Sequence, residues 1–170
     1  MNSELLIQAR EMLENLTPLK SNCGLLCGGA CCEADEDGQG GVLMFPGERD
    51  LIKDEPWLEM QPSPMPVGDI DWGMMVCEGK CDRKARPLGC RIFPLTPYRS
   101  ANGTEWKVRT DRRAWVMCPL MKYGVKGLDP EFVATVKQAL NLIASDPDGE
   151  EFLEEWQELE ESYADSAFLL

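Results

Sequence analysis

Cysteine is the residue type that carries chemistry in this chain. Four of its eight cysteines fall in the stretch CGLLCGGACC, spaced Cys-x3-Cys-x3-Cys-Cys at Cys23, Cys27, Cys31 and Cys32. The interleaved Gly24, Gly28 and Gly29 let a backbone turn tightly enough for several sulfurs to converge. A second group reads Cys77-x3-Cys81-x8-Cys90, and Cys118 follows alone. Gaps of two to four residues let one turn present two thiolates to one metal ion, and both Cys23/Cys27 and Cys77/Cys81 have that gap. Cys23, Cys27, Cys77, Cys81 and Cys90 stand first as expected ligands, with Cys31, Cys32 and Cys118 next. Neighbours in sequence point in different directions, so Cys31 and Cys32 are not expected to share one tetrahedral ion.

There is no histidine. That excludes Cys2His2 fingers, His-based hydrolytic triads and an imidazole general base. The ligand set is therefore thiolate-rich, and the cofactor is expected to be zinc or a 4Fe–4S iron–sulfur cluster. Disulfides and unrelated buried thiols are the competing explanations. They weigh less in a reducing compartment, and the amino-terminal MNSELLIQAREMLENL has none of the marks of a secretory signal. A cytoplasmic location is the expectation. Radical chemistry of the Cys-x3-Cys-x2-Cys type does not fit, because Ala30 occupies the third position. No dinucleotide or phosphate-binding glycine loop is present.

Charge is distributed unevenly. The net charge is −13, which argues against general nucleic-acid binding. Residues Gly79 to Lys126 nevertheless carry +9, leaving −22 for the remainder. Four thiolates on one zinc leave about −2, and nearby cations offset that and favour the thiolate. Lys80, Arg83, Lys84, Arg86 and Arg91 surround Cys81 and Cys90 in sequence; Arg86 and Arg91, each beside a rigid or ligand position, are the cofactor-binding candidates, and solvated surface is the competing reading for Lys80 and Lys84. No residue is assigned a catalytic role.

The residues of CGLLCGGACC, FPGERDL and CEGKCDRKARPLGCRIFPL resemble the bacterial cysteine-cluster proteins described as zinc- or iron-chelating domains. The resemblance runs from Cys23 to Pro94 and is tightest at Arg86, Pro87, Cys90, Arg91, Phe93 and Pro94; the first cysteine box has wider gaps than the family pattern. It implies metal binding. The cysteine pattern is also similar to that of flagellin lysine N-methylases, which implies an enzyme or accessory protein of methyl transfer as an alternative.

The elements that must position these thiols are legible in part. A single domain over residues 1–170 is expected, of α+β class: terminal helices around a small irregular sheet and a cysteine-rich, metal-binding middle. Ser3 to Leu16 predicts a helix capped by Ser3, with Leu5, Leu6, Ala9, Met12, Leu13 and Leu16 on one face. The turn after Cys32 holds Asp35, Glu36 and Asp37 at spacings unlike a calcium loop. Val42 to Phe45 predicts a strand, and Pro46-Gly47-Glu48 opens a short helix through Lys53. Gln61 to Pro66 predicts an extended connector, and Ile70 to Val76 a strand running into Cys77. Arg91 to Tyr98 and Thr104 to Thr110 predict a hairpin, its first strand confined to an edge or bulge by Pro94 and Pro97.

Residues 129–165 predict two amphipathic helices. The first has Asp129 as cap, Pro130 at its first position and a stripe of Phe132, Val133, Val136, Leu140 and Ile143. The second starts after Asp146-Pro147 and bears Phe152, Leu153, Trp156, Leu159 and Tyr163. Packing on the same domain is the expectation, and a protein partner at these helices the third functional alternative. No segment approaches the roughly 20 apolar residues of a membrane span, and no membrane partner is expected.

Overall fold

The structure is a computed structural model, and it describes residues 1–32, 42–55, 58–62, 73–77 and 81–167. For 58–62, 73–77 and 163–167 only the backbone is described. The acidic turn after Cys32, residues 63–72 of the connector and following strand, and Lys80 lie outside it. So do the side chains of Cys77 and Tyr163.

The architecture is α+β, as expected. Helix α1 (Ser3–Met12) is capped one residue earlier than anticipated: the Asn2 side chain accepts from the Glu4 N–H. It ends sooner too, because the Leu13 N–H turns back to the Arg10 carbonyl. Its apolar stripe buries Leu6 and Ala9, continued by Leu13, against α6 (Pro130–Ile143). Asp129 caps α6 by accepting from the Glu131 N–H, and Pro130 occupies the first turn, where its missing N–H leaves no bond unmade. Phe132, Val136, Ala139, Leu140 and Ile143 are buried on one face of α6.

Helix α7 (Pro147–Ala167) lays Phe152, Leu153 and Trp156 into the same core, where Phe45 stacks within 4.6 Å of Phe152 and 5.7 Å of Trp156. The stripe that a partner would have needed is thus spent on the protein's own interior; Trp156 is 2% exposed. The glutamates on the outer side of α7 are partly used as well: Arg99 pairs with Glu150 and Glu154, and Trp106 Nε1 donates to Glu150 Oε2 at 2.7 Å.

Strand β1 (Val42–Leu43), shorter than expected, pairs antiparallel with β3 (Gly73–Cys77), which pairs in turn with β2 (Leu58–Pro62). Helix α3 (Glu48–Ile52) lies between the first two in sequence, with Gly47 in the left-handed region as its cap. The predicted hairpin forms as β4 (Leu95–Tyr98) and β5 (Lys107–Thr110), in the register Leu95 to Thr110 and Tyr98 to Lys107.

The first part of that predicted strand is instead a helix. Leu88–Ile92 forms α4, following Pro87. It is held by the Arg91 N–H on the Pro87 carbonyl at 3.0 Å and by Glu48 Oε1, which accepts the Leu88 N–H at 2.6 Å. A distant carboxylate satisfies an amide that a five-residue helix leaves unpaired. Sequence periodicity has no access to that partner.

Candidate thiol site

Four short elements bring the thiols together. Helix α2 (Gly24–Cys27) begins at Cys23, and Gly28 (φ 70) and Gly29 (φ 84) reverse the chain in a region that side chains rarely enter. A 3-10 turn, Ala30–Cys32, then presents Cys31 and Cys32, with the Cys32 N–H on the Gly29 carbonyl at 2.7 Å. Cys90 rides on α4. Cys118 closes helix α5 (Ala114–Met117), its N–H on the Ala114 carbonyl at 2.7 Å, and opens the 3-10 segment Pro119–Gly127.

These elements surround one cavity of about 940 Å³, lined by Cys23, Cys27, Cys31, Cys32, Cys90 and Cys118. Cys81 belongs to the same neighbourhood through Arg86, whose guanidinium hydrogen-bonds its sulfur. Of the eight expected ligands, seven therefore gather around one basin; the eighth, Cys77, ends β3 and its side chain lies outside the described residues. None of the seven is in a disulfide, and none is buried in the core. Helix α5 packs against the Ala30–Cys32 turn, which sets Cys118 across from the first cysteine box.

The electrostatics follow from this crowding. Burial pushes the Cys23 thiol up, and the nearby Cys27 and Cys118 add to the rise, against Arg86. Cys31 and Cys32 do not diverge as neighbours in a strand would. In the tight turn the Cys31 thiol donates to the Cys32 sulfur, which pulls Cys32 down to about 6 and pushes Cys31 up. Arg86 assists Cys32. Burial works against the charge on Arg86, but its bond to Cys81 and the proximity of Cys81, Cys32 and Cys90 outweigh that and raise it.

Arg91 also lines the cavity. It is 7% exposed, and its guanidinium is committed to the backbone. Nε donates to the Arg86 carbonyl (2.8 Å), Nη1 to Arg10 (3.1 Å), and Nη2 to Arg83 (2.9 Å) and Lys84 (2.8 Å). Two further arginines complete this lattice, Arg83 from the basic run around Cys81 and Arg10, which had no sequence signal. Arg10 donates to the Lys84 carbonyl at 3.2 Å, and Arg83 to the carbonyls of Glu14 and Leu16 at 2.6 and 2.9 Å. Together they fasten the end of α1 to the loop between Cys81 and Cys90.

Glu48, fully buried, locks the other side: it accepts from Phe45 at 3.3 Å and from Leu88, with Arg10 at 3.7 Å. Burial pushes its carboxyl up, against these partners. Cys90 and Arg86 thus sit on a loop anchored at several points.

The donor set fits a thiophilic metal: seven thiols, no imidazole, and one well-placed cation. Among the described residues, no group of three or more Cys, Asp or Glu side chains is drawn close enough to enclose an ion as it stands. Binding would have to draw the sulfurs inward, and the Gly28-Gly29 turn is the backbone that can yield. Set against family models, curated proteins and solved structures, the chain matches none of them.

Proposed function

We propose that this protein binds metal through its cysteine cluster, holding zinc or a 4Fe–4S cluster in a structural or redox role. The observation that supports this most is the gathering of six thiols, from three separated segments, on the wall of one cavity. Buried thiols that merely filled the core would be scattered and inaccessible; these are part-exposed and face the same space. Cys23, Cys27, Cys31, Cys32, Cys81, Cys90 and Cys118 would supply the ligands, and Arg86 would offset their negative charge. Seven thiols outside any disulfide suit a reducing, cytoplasmic setting. No described helix is long and apolar enough to cross a membrane.

The group-transfer alternative calls for cations able to grip an anionic substrate beside the thiols. Of the arginines that could serve it, Arg91 spends its guanidinium on carbonyls, Arg86 is on Cys81, and Arg109, Arg112 and Arg113 do not line the thiol cavity, so metal binding is the better-supported reading. The interaction-module alternative loses the exposed stripe it required, since Phe152 and Trp156 are buried.

Purification without air, followed by absorbance and elemental analysis, tests the proposal. A brown sample with iron and sulfide identifies a cluster, and a colourless one with zinc a mononuclear site. A full-length, reduced protein that carries neither and takes up neither would end the proposal.

A further inference from the structure

Five of the seven large apolar side chains left exposed among the described residues belong to two of the helices that carry the thiols. They are Leu25 and Leu26 on α2, and Trp115, Val116 and Met117 on α5. Tyr123, a sixth, follows on the 3-10 segment that Cys118 opens. Leu25, Leu26 and Met117 line the thiol cavity while remaining exposed, so they stand at its rim. Helix α5 packs against the Ala30–Cys32 turn, and the two groups border one opening. Single exposed apolar residues are ordinary, whereas a cluster around a concave opening marks a docking face.

Charge narrows what docks there. Residues 16–32 and 112–128, which carry this rim, hold Lys20, Arg112, Arg113, Lys122 and Lys126, all exposed, and no carboxylate. Arg113 spends part of its charge on Asp111. A basic, apolar face on a chain of net charge −13 is complementary to an acidic partner with apolar anchors.

We infer that the rim of the thiol cavity, formed by Leu25, Leu26, Trp115, Val116 and Met117, docks an acidic, amphipathic segment of a partner protein. Such a segment would place its apolar side chains in the opening and its carboxylates against the flanking cations, covering the thiols. A second copy presenting the same face would set cation against cation. Nucleic acid has no use for exposed leucine and valine, and a bilayer surface offers no protruding side chain to a concave mouth.

The probe is a fluorescein-labelled synthetic helix of glutamate with leucine at i, i+3, i+4 and i+7, added to the reduced full-length protein and read by anisotropy. Micromolar binding is expected, weakening at least about tenfold when salt is raised to about 0.5 M. The bound helix should slow alkylation of the cavity thiols by iodoacetamide. Leu25 and Val116 are 84% and 88% exposed, so the double variant Leu25→Ser, Val116→Ser should keep its circular dichroism spectrum and thermal midpoint yet lose at least about tenfold in affinity. Absence of binding, undiminished binding by that variant, or unchanged alkylation would overturn the inference. Equal affinity for the same helix with lysine in place of glutamate would remove the acidic partner. Tighter association with phosphatidylglycerol vesicles, or a dimer in sedimentation that the double variant abolishes, would give the face to lipid or to a second copy instead.

Discussion

At the scale of single residues, the arginines decide how rigid the thiol basin is. Arg91 serves four carbonyls from two segments, and a planar guanidinium with five donors is the side chain that can do so. Arg91→Ala should remove these four charge-assisted bonds and cost about 3 kcal/mol in urea unfolding. Arg91→Lys should recover less than half of that, since an ammonium cannot reproduce the fork. A lysine variant of unchanged stability would show that charge alone matters at this position. Arg86 contrasts with it: its partners are thiols, so its replacement should act on metal retention more than on unfolding.

At the scale of elements, the contact of α4 with β1 positions Cys90. Gly89 makes it possible. A Cβ there would lie 2.4 Å from Val42 Cγ2 and 3.2 Å from the Leu43 carbonyl. Gly89→Ala should therefore push α4 off the strand, destabilising the fold by about 2 kcal/mol and loosening metal uptake together. Urea unfolding and elemental analysis of bound metal would report the two effects, and a stable variant with an intact site would contradict the close approach.

The elements also show what could be read ahead of the coordinates. Asp129-Pro130 and its stripe give α6 to within a residue, because cap and periodicity are local signals. Helix α4 was not legible, and its last two residues read as the start of a strand, since Glu48, forty residues away, supplies the acceptor that supports its first turn. The Cys31–Cys32 contact was hidden for the same kind of reason: a 3-10 turn set by Gly28-Gly29 brings together two sulfurs that an extended chain would separate.

At the scale of the whole molecule, the thiol basin borders the apolar core, with Cys23 and Cys118 packed against it. The core joins α1, α6, α7 and the hairpin and contains no cysteine among its fully buried residues. Removing metal should accelerate amide exchange around residues 23–32 and 81–118 while leaving α6 unchanged. Phe152→Ala should do the reverse, lowering global stability by about 4 kcal/mol while the folded fraction keeps its metal content. Uniform acceleration along the chain after metal removal would mean that the two parts are one cooperative unit.

The amino-acid sequence determined the chemistry available here and the helices that frame it. Eight thiols without histidine restrict the ligand set, and the caps and stripes of the terminal helices are written within a few turns of chain. Only the tertiary structure decided which thiols face one another, that Arg91 serves the backbone and Arg86 the sulfurs, and that the carboxy-terminal stripe is covered. The physical reason is range. Capping and periodicity act over a few residues, whereas a cavity wall and a buried carboxylate are made by segments that meet only when the chain has folded.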